Sequence, residues 1–233
     1  MMTPCPWFKE AVEVLKEHPE VSVGVHLVLF SEWKGYRWGP VLGKKAVPSL
    51  VNEDGYFFHS EPSLKANKPE KFEIEMEFRA QIDRALKSGI RIDYIDSHLG
   101  STKESREVVV KLAKEYGLPI SGAFGLERLS TYSVPHERKK EAAIEEISNL
   151  EPGKTYLYVM HVGMDSPEMC ALEEIRESGL PEMCKHRNAQ LNTLLSEEFQ
   201  KALGENNIEL ITYREFFKSH GLEEMKTEDY VRR

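Results

Sequence analysis

The sequence predicts an α/β protein with parallel strands, and two observations carry that reading. Apolar runs of strand length alternate along the chain with segments whose apolar residues recur at helical spacing. Strands joined through helical crossovers lie parallel, with right-handed connections. The first such run, VSVGVHLVL at 21–29, is rich in β-branched residues and apolar almost throughout, which suits a strand covered on both faces. The alternation fits either an open sheet or a (β/α) barrel. No internal repeat, low-complexity run or linker interrupts the 233 residues, so a single domain over 1–233 is expected.

Pro6 sits near the first turn of an opening helix whose stripe is Phe8, Ala11, Val12 and Leu15, the spacing of one helical face. The strand at 21–29 follows. Residues 30–68 then pass without a long periodic segment, which predicts a functional excursion rather than a plain connection. Within it, Asp54-Gly55 between apolar runs predicts a small hairpin turn. A helix over 69–88 has Ile74, Phe78, Ile82, Ala85 and Leu86 as its stripe and Gly89 as its cap. Residues 90–97 read as a strand. Ser101 with Glu104 makes a capping-box pattern before Val108, Val109, Leu112, Ala113 and Tyr116, and Gly117 stops that helix. A strand at 118–124, a helix at 137–150 and a strand at 155–162 come next. A second excursion at 163–186, a helix at 187–203, a strand at 208–212 and a helix at 213–219 complete the reading. The first element is a helix with no strand before it.

Composition narrows the function. Lys plus Arg number 31 against 39 Asp plus Glu, a net charge of −8; a phosphate backbone wants a basic surface, so nucleic acid is not an expected partner. The hydrophobic fraction of 40% and charged fraction of 30% exclude disorder. Cys5, Cys170 and Cys184 are sparse and odd in number, which predicts no disulfide framework and a reducing, cytoplasmic location. The start has no apolar signal region, and no run reaches membrane-spanning length. G-x-S-x-G, P-loop and G-x-G-x-x-G patterns are absent, which removes the hydrolase elbow and the nucleotide loops.

Three histidines share one topological position. His26, His98 and His161 each fall at the carboxyl end of an expected strand, the end at which parallel α/β folds bind ligands. Asp96 lies two residues before His98 and so shares its face of the strand, where it could orient an imidazole or act as a base. Each histidine alone is more often a hydrogen-bonded core residue than a ligand; the joint placement raises a metal or substrate site to an equal reading. Trp33, Tyr36 and Trp38 crowd the segment after His26. As exposed aromatics they would stack on a sugar ring; as buried ones they would simply pack. Asp165 and Glu168, in the loop after His161, are weaker candidates.

VGVHL (23–27), VPSLVNEDGYF (47–57), DYIDSHLGS (93–101), MHVG (160–163) and LITY (210–213) together resemble the YdjC-like carbohydrate deacetylase family, which includes chitooligosaccharide deacetylases. The resemblance covers nearly the whole chain. It implies a deformed (β/α) barrel that binds one divalent metal and removes an acetyl group from an N-acetylated sugar. Carried over by residue, His26 and His98 match the metal-binding histidines, and His161 the late histidine, a proton donor to the leaving amine. The family is described with magnesium, a hard ion that prefers oxygen; two imidazoles sit better with zinc or manganese. A small carbohydrate is the implied partner, with a homo-oligomer left open.

The chain departs from the family in two places. The family opens with a strand ending in an Asp-Asp motif that completes the metal site and supplies a base, and nothing here matches it. The sequence starts in the helix that should follow, so a missing first strand and an incomplete N-terminus are expected. Many members carry further histidines where this chain has Leu99-Gly100-Ser101. Two rival readings therefore stay open, a sugar-binding relic and a different metal-dependent amide hydrolase.

Overall fold

The computed structural model describes residues 1–99, 102–175 and 179–232. In chain order its elements are α1 (Phe8–Glu17), β1 (Gly24–Leu27), α2 (Glu61–Ala66), α3 (Lys71–Leu86), β2 (Tyr94–Ser97), α4 (Lys103–Tyr116), β3 (Glu127–Leu129), α5 (Lys139–Ser148), β4 (Tyr156–Tyr158), α6 (Pro167–Cys170), α7 (Met183–Leu195), α8 (Glu197–Glu205), α9 (Tyr213–Ser219) and α10 (Thr227–Arg232). They form two compact units. The first holds Met1–Glu32, Tyr36–Gly125 and Ile211–Arg233; the second holds Trp33–Gly35 and Leu126–Leu210.

The first unit is built on parallel pairing. β1 and β2 pair in the register Gly24↔Tyr94, Val25↔Ile95, His26↔Asp96 and Leu27↔Ser97. Two bonds extend the ladder, Asp93 N to the Val23 carbonyl and His98 N to the Leu27 carbonyl, each 2.8 Å. A parallel bridge from Ile95 to Ile120 lies on the far side of β2. Helices α3 and α4 are the crossovers, and each turns most of its expected stripe inward: Ile74, Phe78, Ile82 and Ala85 on one, Val108, Val109, Leu112 and Ala113 on the other, all buried, while Leu86 is exposed and Tyr116 half-buried. Val25, Leu27, Ile95 and Ile120 meet them as the core. Gly24 is glycine for a steric reason, because a Cβ there would stand 2.2 Å from the Tyr94 ring.

On the other edge of β1, the Met1 amine donates to the Gly24 carbonyl, and His26 N donates to the Met1 carbonyl at 2.8 Å. Val23 and Leu27 use their carbonyls toward β2, so the alternate residues Gly24 and His26 present theirs to the opposite edge. Met1 therefore occupies the parallel pairing position at which a preceding strand was expected.

The second unit repeats the theme. β3 and β4 pair in parallel, Glu127↔Tyr156 through Leu129↔Tyr158, with α5 between them in sequence. Ala143, Ile147, Phe199, Ala202 and Leu203 form its core, with Tyr158, Met160 and Leu194 packed around. Lys139 is buried, and its ammonium donates to the Thr131 and Tyr132 carbonyls at 2.6 and 3.0 Å; burial lowers its pKa.

Several expectations are corrected. The strand at 118–124 shrinks to the single bridge at Ile120, followed by a 3-10 turn at Ser121–Ala123. Residues 208–212 form no strand. Thr212 instead caps α9, accepting from Glu215 N at 3.2 Å, because a side-chain oxygen at that position satisfies an otherwise orphaned donor. The helix at 187–203 is two helices, broken where Ser196 takes an extended conformation and caps α8. Ser101 lies outside the described residues; Thr102 caps α4 in its place, accepting from Ser105 N at 3.1 Å. The stop at Gly117 holds, with that residue left-handed at φ 65°, and the Asp54-Gly55 turn joins a Val51–Phe57 antiparallel bridge. The cysteine reading is also corrected. Cys170 and Cys184 are joined in a disulfide that ties α6 to α7, which removes the cysteine count as an argument for a reducing compartment. No helix among the described residues is long and apolar enough to cross a membrane.

Asp93 ties the strand entrances to α9. Its Oδ1 accepts from Arg214 Nε at 3.0 Å, and its Oδ2 from Ser22 Oγ, Val23 N and Arg214 Nη2, each at 3.1 Å. Burial works to raise the Asp93 pKa, but the Arg214 guanidinium and the Val23 N–H outweigh it and hold the carboxyl below its ordinary value. A depressed folded pKa contributes stability that is present above the unfolded value and is lost as pH falls through the folded one. Arg214→Met should therefore lower the urea unfolding midpoint at pH 7. That penalty should narrow below the ordinary Asp pKa, where the wild type loses the same contribution. Urea unfolding at pH 7 and pH 3 reads both effects.

Candidate metal centre

The β1–β2 register sets the site. His26 and Asp96 are direct cross-strand partners, and His26 Nδ1 meets Asp96 Oδ1 at 2.6 Å. His98 stands one residue past the end of β2, and its Nδ1 lies 3.2 Å from His26 Nε2. Its other nitrogen, Nε2, faces both oxygens of Glu32 at 3.0 and 3.1 Å. Ionised carboxylates only accept, so each assigns a proton to the ring nitrogen it touches: Nδ1 on His26 and Nε2 on His98. The two remaining nitrogens then face one another across 3.2 Å with lone pairs. Two facing lone pairs repel unless something positive lies between them, either a proton or a metal ion.

The spacing fits an ion. Nitrogens bound to one zinc at about 2.0–2.1 Å are about 3.4 Å apart in a tetrahedron and about 3 Å apart at an octahedral right angle. The carboxylate behind each imidazole is the arrangement that orients metal-binding histidines and raises their basicity. No third imidazole, thiol or carboxylate among the described residues joins the pair within 4.8 Å, so the protein donors number two.

Glu32 is the residue the sequence reading missed. It ends the apolar run from β1 and is the sole acid between residues 21 and 33; a charge closing a strand run at the ligand-binding end was the available signal. The chain around it is firmly held. Gln81 of α3 accepts from Val28 N at 3.0 Å and donates to the Val28 carbonyl at 2.8 Å. Ser31 N donates to the Phe58 carbonyl at 2.9 Å, and Ser31 Oγ accepts from Trp38 N at 2.9 Å and from Arg37 Nε at 3.2 Å. The imidazole that Asp96 meets is His26, across the sheet, rather than its near neighbour His98. The parallel register explains this, since it puts residue 96 opposite residue 26.

His161 belongs to the second unit, just past β4. Its N donates to Gln190 Oε1 at 2.8 Å, and its exposed ring stands edge-on to Tyr132 at 5.4 Å. The aromatic group divides. Trp33 and Trp38 are only 6% and 5% exposed, which matches the packed alternative of the sequence reading. Arg187 lies 5.5 Å above the Trp33 ring, and Trp38 is fixed through its backbone to Ser31. Tyr36 remains partly exposed, against half-exposed Trp7 at 5.1 Å. Asp165, Cys170 and Cys184 also come within 4.8 Å of one another, but sulfurs joined to each other offer no thiolate to an ion.

The fold and the site define a class: an α/β protein on parallel strands, with a strand-end histidine pair braced by two carboxylates. The chain belongs to the YdjC-like protein family, whose pattern matches residues 1–205. Among its relatives, a carbohydrate deacetylase of Enterococcus faecalis (strain V583) is 40% identical over 123 residues, 51% of this chain and 44% of that one, so this match spans less than half of the relative. Carbohydrate deacetylases of Brevibacillus brevis and Geobacillus stearothermophilus are each 29% identical over 220 and 228 residues, covering 89% and 94% of this chain and 83% and 85% of theirs. A crystal structure from Enterococcus faecalis V583, provisionally described as a cellobiose-phosphate cleavage protein, superposes with a TM-score of 0.73 at 26% identity, covering 92% of this chain and 85% of that one.

Trp38→Ala should behave as a core truncation, with a stability loss of about 3–5 kcal/mol. A denaturant titration measures it. A loss under 1 kcal/mol would return Trp38 to the exposed platform.

Proposed function

We propose that the chain is a metal-dependent carbohydrate deacetylase, hydrolysing the acetamide of an N-acetylated sugar. The observation that carries this reading is the pair of open imidazole nitrogens 3.2 Å apart, each backed by a carboxylate. Family membership and the deacetylase names of its relatives support it. The deformed (β/α) barrel of the resemblance is the frame proposed, with a small carbohydrate as partner.

His26 Nε2 and His98 Nδ1 would hold the ion. Two nitrogen donors suit zinc or manganese better than the magnesium of the resemblance. When bound, a divalent ion polarises a carbonyl and lowers the pKa of water. The chain's own groups handle the protons. Water loses one as its oxygen adds to the acetyl carbon, and the sugar nitrogen gains one as the C–N bond breaks, giving acetate and an amino sugar. Asp96, 33% exposed at its side chain, is the acid open to receive the first, and Glu32 at 4% is closed. For the second, the family resemblance points to His161. Tyr36 with Trp7 offers the remaining aromatic surface for a sugar face.

The two-donor count favours one alternative, sugar binding without turnover, since a site without an anionic ligand holds an ion less tightly. Acetate release from a panel of N-acetylated sugars, with zinc, manganese, cobalt or magnesium supplied, tests the main reading. His98→Ala should lower turnover at least 100-fold with the fold intact. Undiminished release in that variant overturns the metal role, and sugar binding with no release by the wild type favours the alternative.

A further inference from the structure

We infer that Glu32 is the positioning residue that presents His98 Nδ1 to His26, making the two rings one chelate. The inference rests on the proposed metal reading and deepens it. Its ground is an asymmetry between the two bracing acids. Asp96 stands on β2, held in place by the strand register whether or not its side chain bonds anything. Glu32 stands on the irregular segment after β1, and its side chain is 4% exposed. A carboxylate hidden to that degree needs strong partners, because an uncompensated buried charge is costly. It directs both of its oxygens at one atom, His98 Nε2, at 3.0 and 3.1 Å.

His98 needs that partner more than His26 needs Asp96. His26 lies within β1, with its backbone paired on the edge away from β2. His98 lies beyond the last residue of β2, where one backbone bond to Leu27 fixes its N–H but does not set the rotation of the ring about its side-chain bonds. A turned ring would show Nε2, or neither nitrogen, to His26. Glu32 removes that freedom and keeps the proton on Nε2. The cradle around it, with Gln81 on Val28 and Ser31 on Trp38 and Arg37, makes the position of the carboxylate a property of the fold. Partners of this kind are worth about 10–100-fold in metal affinity.

The test uses the full chain and cobalt(II) as the probe ion. Affinity is measured by calorimetry, coordination by the visible cobalt spectrum, and the ring proton by long-range 1H–15N correlation of the metal-free protein. Glu32→Gln keeps the size and removes the charge; Glu32→Leu removes the acceptor with an apolar side chain of similar bulk. The expected result is a 10-fold or greater loss of cobalt affinity in Glu32→Leu and a smaller loss in Glu32→Gln. Bound spectra should keep the wild-type band shape, and the His98 ring in Glu32→Leu should lose its fixed Nε2 proton. If Glu32→Leu does not fold, Glu32→Gln decides alone, with at least a threefold loss expected. Wild-type affinity in the folded variants overturns this inference and leaves the metal reading standing. A wild-type protein that takes up no cobalt overturns both.

Discussion

His26 and Asp96 meet because β1 and β2 pair in parallel with Gly24 opposite Tyr94. The site depends on that alignment. Successive side chains of a strand point to opposite faces, so a slip of one residue would send the imidazole to one side of the sheet and the carboxylate to the other. Several features keep the alignment in place. Val25 and Ile95, partners in the ladder, are completely buried under α3 and α4. Gly24 leaves room for the Tyr94 ring, which in turn packs at 4.1 Å on Tyr213. Asp93, immediately before β2, is held to Val23 and Arg214. Packing, shape and charge select the same register, and the histidine pair follows from it.

The crossover helices of the first unit and the strands they join were legible because burial on both faces leaves a plain mark, an apolar run without alternation. Short pieces were less legible. Strand β3 is three residues, Glu-Arg-Leu, with no apolar pattern of its own, and it forms because β4 offers it a ladder. Conversely, Leu118–Pro119–Ile120 is apolar enough for a strand yet makes one bridge before turning. The histidines were found by topology. Their carboxylates were harder to read, because contacts across a sheet depend on register and contacts from a loop depend on the path of the chain. Asp96 was noticed without the ring it meets being fixed, and Glu32 passed unnoticed although it is the more deeply buried of the two. The tryptophans stayed ambiguous for a related reason: an aromatic cluster next to a ligand-binding end has the same composition whether it forms the wall or the platform.

The centre is neutralised in an unusual order. Two acids stand behind two bases, and the remaining ring nitrogens of the bases meet each other at 3.2 Å rather than facing solvent. On the proposed reading, such an arrangement would build the convergence of the two ring nitrogens into the fold before any ion arrives. It also separates the tasks of the acids by exposure: the open one stays available to water, and the closed one does not. Elsewhere the molecule treats buried charge differently. Lys139 has no counter-ion among its described contacts and is satisfied by two main-chain carbonyls, which hold the ammonium in place and keep it from any neighbour that could use its charge.

The Cys170–Cys184 link closes a ring of chain over a sequence separation of 14. Within such a ring, cutting the backbone does not divide the molecule. A protease that nicks the chain anywhere between the two sulfurs yields two polypeptides still joined as one, migrating together under denaturing conditions and parting only when a thiol is added. A non-reducing gel of limited digests would report this protein as uncut in the region between α6 and α7, where only the one water added by hydrolysis would betray the cut in the intact mass.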